Sequence, residues 1–359
     1  MGDTKRLLII NPKQFGYHLD TYYYCKWASR EFRTTYHGFD AGEPKLAMEG
    51  VAVDYVPRQG HLLTRYLRFL RSCIIECRKG YDVIFVKYFP GCSVLRIFNP
   101  CDRLVLDIRT GSIALHPGKR QWLNRMLRLE SLFFRHVTII SESLADRLGL
   151  DRRNVHVLPL GADPIETVRK EFSSLHLLYV GTLSGRRIED TIVGFHKFYQ
   201  EAGRTADMTY EIIGDGYHGE LGGLRALVGK LALDRVVSLP GYIHHRELAS
   251  RYERCNAGVS YVPIDDIYDC QPPTKTFEYL LAGMPVIATN TRENASVITE
   301  HNGVLIDDTP EGFYEGAKAL ARNKGTYDSN AIRANALRYS WETIVHSNLV
   351  PYLRSVADD

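Results

Sequence analysis

The chain has 359 residues, room for two domains at about 100–200 residues each. Hydrophobic residues are 45% and charged ones 24%, which excludes disordered and fibrous classes, and no apolar run approaches the ~20 residues that span a bilayer. The net charge of +3 hides an asymmetry: residues 1–165 carry 25 Lys and Arg against 16 Asp and Glu, or +9, and the remainder carries −6.

A basic half suits phosphate or an anionic surface, but no zinc-finger spacing, RNP-like motif or basic-region heptad points to nucleic acid. Residues 1–6 lead straight into an apolar strand at 6–11 without the apolar h-region of a signal peptide, so a cytoplasmic location is expected. Seven cysteines, an odd count with no CxxC pair, fit reduced thiols and give no metal site. Further strands are predicted at 51–55, 81–87, 103–107, 136–140 and 154–158, with helices at 61–79, 119–134 and 141–148 between them. This alternation of short β-branched strands with helices predicts a mostly parallel sheet covered on both faces. Within 61–79, Arg65, Arg68 and Arg71 interleave with leucines and aromatics. Such a basic amphipathic helix is either the solvated outer face of a sheet-covering helix or a rest for anionic lipid headgroups.

After a polar linker at 161–174 the alternation restarts. Strands are predicted at 175–180, 210–213, 236–239, 257–261, 285–288 and 303–306, with helices near 189–202, 219–232, 246–253, 275–282 and 311–321. The reading is α/β: an N-terminal Rossmann-like domain at 1–163, a second at 174–338, and a closing helical segment at 339–359. Two such domains face a cleft, and ligands of open α/β sheets bind outside the carboxyl ends of the strands. A nicotinamide-dependent dehydrogenase is disfavoured because no GxGxxG follows the first strand.

The most informative stretch is 272–288. Two prolines break the chain, 274–282 reads as a short helix, Gly283 suits a left-handed cap, and Pro285 leads into a buried strand. The helix N-terminus is an anion site, Lys275 adds a cation, and Glu278 accepts hydrogen bonds from vicinal hydroxyls. A plain i,i+3 surface pair of Lys275 and Glu278 is the alternative.

This segment closely resembles glycosyltransferase family 4, whose Pro-x-Lys-x-x-Glu-Tyr-x-x-x-Gly-x-Pro-Val-Ile pattern is matched at every specified position over 273–287. Tyr179-Val-Gly-Thr-Leu-Ser-Gly-Arg-Arg187, Ile212-Ile-Gly-Asp-Gly216, Pro240-Gly-Tyr-Ile-His-His-Arg-Glu-Leu248, Ile140-Ser-Glu-Ser-Leu-Ala145 and Val157-Leu-Pro-Leu-Gly-Ala-Asp163 follow in the right order. The resemblance implies a GT-B fold, a C-terminal donor domain, an N-terminal acceptor domain and retaining sugar transfer, as in bacterial polysaccharide biosynthesis. By motif position Glu278 binds the donor ribose, while Gly181, Arg186 or Arg187, and Lys275 surround the diphosphate. The cations take the role that a metal plays elsewhere, where negative charge develops on the leaving group. Thr274, Gly214, Tyr242 and Ile243 complete the donor set.

The chain departs from the family at Thr182, where an arginine is common, and at Cys270, where the first acid of the Glu-x7-Glu signature belongs. Asp269, one residue away, is the candidate substitute contact to the donor sugar. In the first half Asp107 and Arg109 replace the family's usual histidine region. They either orient an acceptor hydroxyl or phosphate, or form a structural pair that pins the turn. Gly16 and His116 are the other acceptor candidates. Trp341, in the closing segment, reads as a packing residue.

The expected activity is metal- and cofactor-independent transfer from a nucleotide-diphosphate sugar to a glycan or lipid-linked glycan, with peripheral contact to the inner face of the cell membrane. A nucleotide-sugar epimerase of similar build and a catalytically degenerate donor-binding subunit are the alternatives.

Overall fold

The computed structural model describes residues 4–114, 116–165, 168–203, 207–244 and 247–358. Glu166 and Thr167 of the linker, and His245 and Arg246 of the Pro240 motif, lie outside the described residues. The chain forms two units, Met1–Gly161 with Trp341–Asp359, and Ala162–Ser340.

The first unit runs β1 (Arg6–Asn11), α1 (Leu19–Ala28), β2 (Arg33–Asp40), β3 (Val51–Pro57), α2 (Leu62–Cys77), β4 (Val83–Lys87), α3 (Ser93–Phe98), β5 (Leu104–Ile108), α4 (Pro117–Ser131), β6 (His136–Ile139), α5 (Glu142–Leu148) and β7 (Val155–Val157). Its seven strands are parallel in the order β3-β2-β1-β4-β5-β6-β7. Leu7 to Ile10 lie beside Val83 to Val86 and are buried from both faces, which is why β1 reads as an unbroken apolar run. Three elements of this unit, α3 among them, were not expected from the sequence. Strand β2, Arg-Thr-Thr-Tyr-His-Gly-Phe-Asp, carries polar residues along its length, and α1 is dominated by aromatics with weak helix propensity.

The second unit runs β8 (Leu175–Val180), α6 (Ile188–Glu201), β9 (Met208–Ile213), α7 (Glu220–Lys230), β10 (Val237–Gly241), α8 (Ala249–Arg254), β11 (Ala257–Ser260), α9 (Thr274–Leu281), β12 (Val286–Thr289), α10 (Arg292–Ala295), β13 (Gly303–Ile306), α11 (Pro310–Arg322) and α12 (Ser329–Ala336). Six parallel strands follow the order β10-β9-β8-β11-β12-β13. The order reverses direction at β8, so the carboxyl ends of β8, β9 and β11 flank a topological switch point.

The chain then returns to the first unit through α13 (Trp341–Ile344), a π-helical turn and α14 (Val350–Asp358). Trp341, Val345, Leu349 and Leu353 join Leu7, Tyr24 and Phe85 in one buried cluster. Trp341 stacks on Tyr23 at 5.6 Å and meets Tyr24 edge-on at 5.8 Å, so it is a packing residue of the first unit.

Candidate functional site

Three glycines end three neighbouring strands of the second unit. Gly181 N–H donates to Ile213 O at 3.0 Å, and Gly214 N–H donates to Gly241 O at 3.0 Å. These bonds draw the strand ends so close that a Cβ on Gly214 would stand 1.8 Å from Gly181 O. No side chain fits there, and the bare backbone becomes the floor of a cavity.

That cavity has a volume of about 480 Å³, within the usual range for small-ligand sites. Val180, Gly181, Thr182, Ile213, Gly214, Asp215, Gly216, Tyr217, Tyr242, Ile243, Leu248 and Lys275 line it. The rings of Tyr217 and Tyr242 are 86% and 73% exposed and flank a largely apolar pocket. The 215–217 turn is tied back to β8: Leu183 N–H donates to Asp215 O, and Tyr217 N–H to Ser184 Oγ at 2.9 Å.

Helix α9 brings Lys275 to the wall. Its N-cap is Pro273, with no side chain capping the first turn, so early N–H groups of the helix stay available to an anion. The helix is fixed from below, where Val180 N–H donates to Tyr279 Oη at 2.9 Å and Thr276 Oγ1 to Asn294 Oδ1 at 2.8 Å. Gly283, at φ 73, ends it in the left-handed conformation, and Met284 N–H reaches back to Tyr279 O.

One turn along, Glu278 is buried. Its Oε2 accepts from Lys275 Nζ at 2.5 Å and from Tyr252 Oη at 2.7 Å. The i,i+3 pair is therefore a supported carboxylate rather than a loose surface bridge. Asp163 lies near enough to feel it: burial first, and then the Glu278 charge, push the Asp163 carboxyl up to about 6. Tyr252 was not singled out in the sequence, and Asp163 only as the end of a motif, because each lies far from Glu278 along the chain. Thr274 opens α9, half-buried.

Other expected donor residues are engaged elsewhere. Arg187, at φ 53, pairs with Asp190 at 2.7 Å and Asp308 at 3.2 Å, and the Arg186 guanidinium lies 4.1 Å over the Tyr268 ring. Neither lines the cavity, so Lys275 is the cation among its described walls. Asp269, the expected contact to the donor sugar, is also engaged. It accepts Arg292 N–H at 2.9 Å and pairs with Arg292 Nε at 2.9 Å, which makes it the carboxylate that holds the start of α10. Cys270 beside it is buried.

In the first unit Asp107 and Arg109 are buried and lie 3.9 Å apart, which favours the structural pair of the two expected alternatives. A buried guanidinium must satisfy its donors internally. Arg109 donates to Leu158 O at 2.6 Å and Pro159 O at 3.3 Å and lies 3.5 Å from Asp20. Asp107 Oδ1 accepts from Thr138 Oγ1 at 2.8 Å. Burial pushes the Asp107 carboxyl up to about 6, partly offset by Arg109 and Lys87. Asp20 is paired with Lys87 at 2.6 Å. Burial and then the Lys87 charge hold the His18 ring at about 4. Gly16, at φ 92, turns the loop after β1, and exposed His116 caps α4 by accepting from Lys119 N–H.

His37, Asp54 and Glu76 bring potential ligand atoms within 4.8 Å of one another. Those groups are mutually satisfied: His37 bonds Asp54 and Ser72, and Glu76 accepts from Tyr81 and pairs with Lys79. Among the described residues no helix is long and apolar enough to cross a membrane.

Residues 174–323 match the family model described as glycosyl transferases group 1. Solved structures match over nearly the whole chain. HepE from Anabaena, in complex with UDP and glucose, has a TM-score of 0.74 at 16% identity, covering 98% of this chain and 100% of its own. Sucrose-phosphate synthase from Thermosynechococcus elongatus has a TM-score of 0.74 at 15% identity, covering 99% and 100%. The lipopolysaccharide outer core galactosyltransferase WaaB in its apo form has a TM-score of 0.69 at 13% identity, covering 99% of each. No curated protein sequence matches the chain. The fold is GT-B, and by its second unit the chain is a glycosyltransferase.

Proposed function

We propose that this glycosyltransferase works with retention of anomeric configuration, moving a sugar from a nucleotide-diphosphate donor held in the second unit to a glycan or lipid-linked glycan. The observation that carries the reading is the glycine-floored cavity with Lys275 and the open N-terminus of α9 on its wall. Close backbone approach suits a flat base and a diphosphate. Tyr217 and Tyr242 offer ring faces to the base, Glu278 takes the ribose hydroxyls, and Lys275 with the α9 amides receives the diphosphate. HepE, which shares the fold, has been solved with UDP and with UDP-glucose, so UDP is the first nucleotide to try.

Bond breaking leaves a second negative charge on the β-phosphate of the departing nucleoside diphosphate. Fixed positive groups aimed at that charge stabilise the transition state more than the ground state, and Lys275 supplies this without a metal. Among the described residues Asp215 is the one carboxylate that lines the cavity, which favours attack from the face of the departing phosphate over a covalent glycosyl intermediate. Freed from their present partners, Arg186 and Arg187 lie in the turn nearest Gly181 and add charge to the bound donor. Gly16 and His116 remain the open acceptor candidates of the first unit. Contact of the basic helix α2 with anionic lipid fits a lipid-linked acceptor.

The test is a thermal-shift screen against UDP, GDP, ADP, dTDP and NAD with the wild type and Glu278→Ala. A ligand at about 100 times its Kd adds roughly 2.7 kcal/mol. A shift with one diphosphate that disappears in the variant supports the donor site. A shift with NAD alone, or with none, overturns it. Sugar epimerised without any acceptor would favour the epimerase instead.

A further inference from the structure

We propose that the first unit docks on an anionic lipid bilayer through the outer faces of α4 and α2, with the α4 stripe entering the headgroup region. In α4 and the turn after it, Trp122, Met126, Leu129 and Phe133 follow i, i+4, i+7, i+11 spacing, so they share one helix face. All four are exposed, Trp122 at 59%. Core-facing helices reverse this arrangement and turn their apolar stripe inward. Here the inward face is held by Leu127, Glu130, Ser131 and Phe134, which leaves the outer stripe uncovered among the described residues.

The charge around the stripe identifies the occupant. Between residues 117 and 135 the basic residues are Lys119, Arg120, Arg125, Arg128 and Arg135, and the one acid is Glu130. Glu130 is buried and accepts from Gly91 N–H at 2.9 Å and Ser93 N–H at 3.2 Å. Helix α2 meets the same turn, where Tyr66 Oη donates to Pro90 O. The two helices therefore converge on adjacent residues, 90 and 91. Helix α2 adds exposed Leu63 and Leu67 beside Arg65, Arg68 and Arg71. Its acid, Glu76, is buried against Tyr81 and Lys79. Apolar side chains flanked by arginines complement an acyl boundary under anionic headgroups, with Glu130 and Glu76 turned inward and the exposed Asp102 paired with Arg96 and Arg135. An acidic protein partner would need no row of four large apolar side chains.

The inference extends the lipid contact of α2 given above and is independent of the donor cavity in the second unit. The full chain is sedimented with phosphatidylcholine vesicles, with and without phosphatidylglycerol, at low and high salt. The wild type is expected to partition onto the anionic vesicles, less so at high salt, with a blue shift in tryptophan emission that Trp122→Phe removes. Met126→Glu combined with Leu129→Glu is expected to weaken partition by at least about tenfold. Both positions are exposed, so the melting temperature and the UDP-induced shift stay as in the wild type, which keeps failure here separate from failure of the donor site. Equal partition of this variant and the wild type overturns the proposal, as does indifference of the wild type to anionic lipid. A wild-type dimer that the variant abolishes, without vesicle binding, overturns it in favour of a second copy of the chain.

Discussion

Tyr252→Phe removes one oxygen that touches no wall of the cavity, yet the geometry predicts two separable effects. Tyr252 is fully buried, and its hydroxyl donates at 2.7 Å to a carboxylate that is itself buried. A hydrogen bond to a charged group contributes about 1.5–3 kcal/mol. The ring remains in place, so almost no void forms, and a loss of about 2 kcal/mol is expected. In a domain of 150–250 residues that corresponds to a melting temperature about 4–8 °C lower. The carboxylate of Glu278 then keeps only Lys275 as a described side-chain donor and loses its fixed orientation toward a ribose. If orientation is worth about 1 kcal/mol, the Kd for UDP rises roughly fivefold. Differential scanning fluorimetry reads the first effect and titration calorimetry the second. A lower melting temperature with an unchanged Kd would refute the ribose role of Glu278, and no change in either would refute the buried bond.

Gly214→Ala is expected to cost more than about 3 kcal/mol, because the new methyl meets a backbone oxygen that no rotamer change can move; urea denaturation measures it. Trp341→Ala empties a 3%-exposed site packed on Tyr23 and Tyr24 and is expected to cost about 3–5 kcal/mol. The loss falls on the first unit, so the UDP shift persists in the melting of the second. His18 titrates at about 4 in the fold against 6.5 ordinarily, so its contribution is present above pH 6.5 and is lost as the pH falls from there toward 4. His18→Gln should flatten that part of the stability profile. Asp163 shifts the other way, to about 6 from 3.8, so its contribution is complete below pH 3.8 and is lost as the pH rises through 6. The melting difference between Asp163→Asn and the wild type should therefore grow in the variant's favour from pH 4 to pH 7; a constant difference would refute the assignment.

The sheets were legible because parallel strands are buried on both faces and read as apolar runs. Strand β2 escaped because its Thr, Tyr and His residues find partners only in the fold, His37 with Asp54 on the neighbouring strand. At the site, α9 was legible because its cap, cation, carboxylate and closing glycine fall within fifteen consecutive residues. What the sequence concealed were the competing partners. Arg187 meets Asp308 from across the unit, Asp269 meets Arg292, and Arg109 meets carbonyls about fifty residues away. A charge that looks available in a string of letters is often already neutralised by a residue that only chain folding brings near.

The first unit is interrupted: residues 162–340 are synthesised between its two parts. Until Trp341 and the helices after it emerge from the ribosome, Tyr24, Phe85 and their neighbours lack the side chains that cover them. The domain begun first is thus the last to be completed, while the second unit is continuous and free to fold as soon as it is made. A nascent chain stalled near residue 340 would carry a finished second unit with its glycine-floored cavity and an unfinished, apolar first unit. A truncation that removes Trp341 and the helices after it therefore strikes the unit that the first 161 residues build.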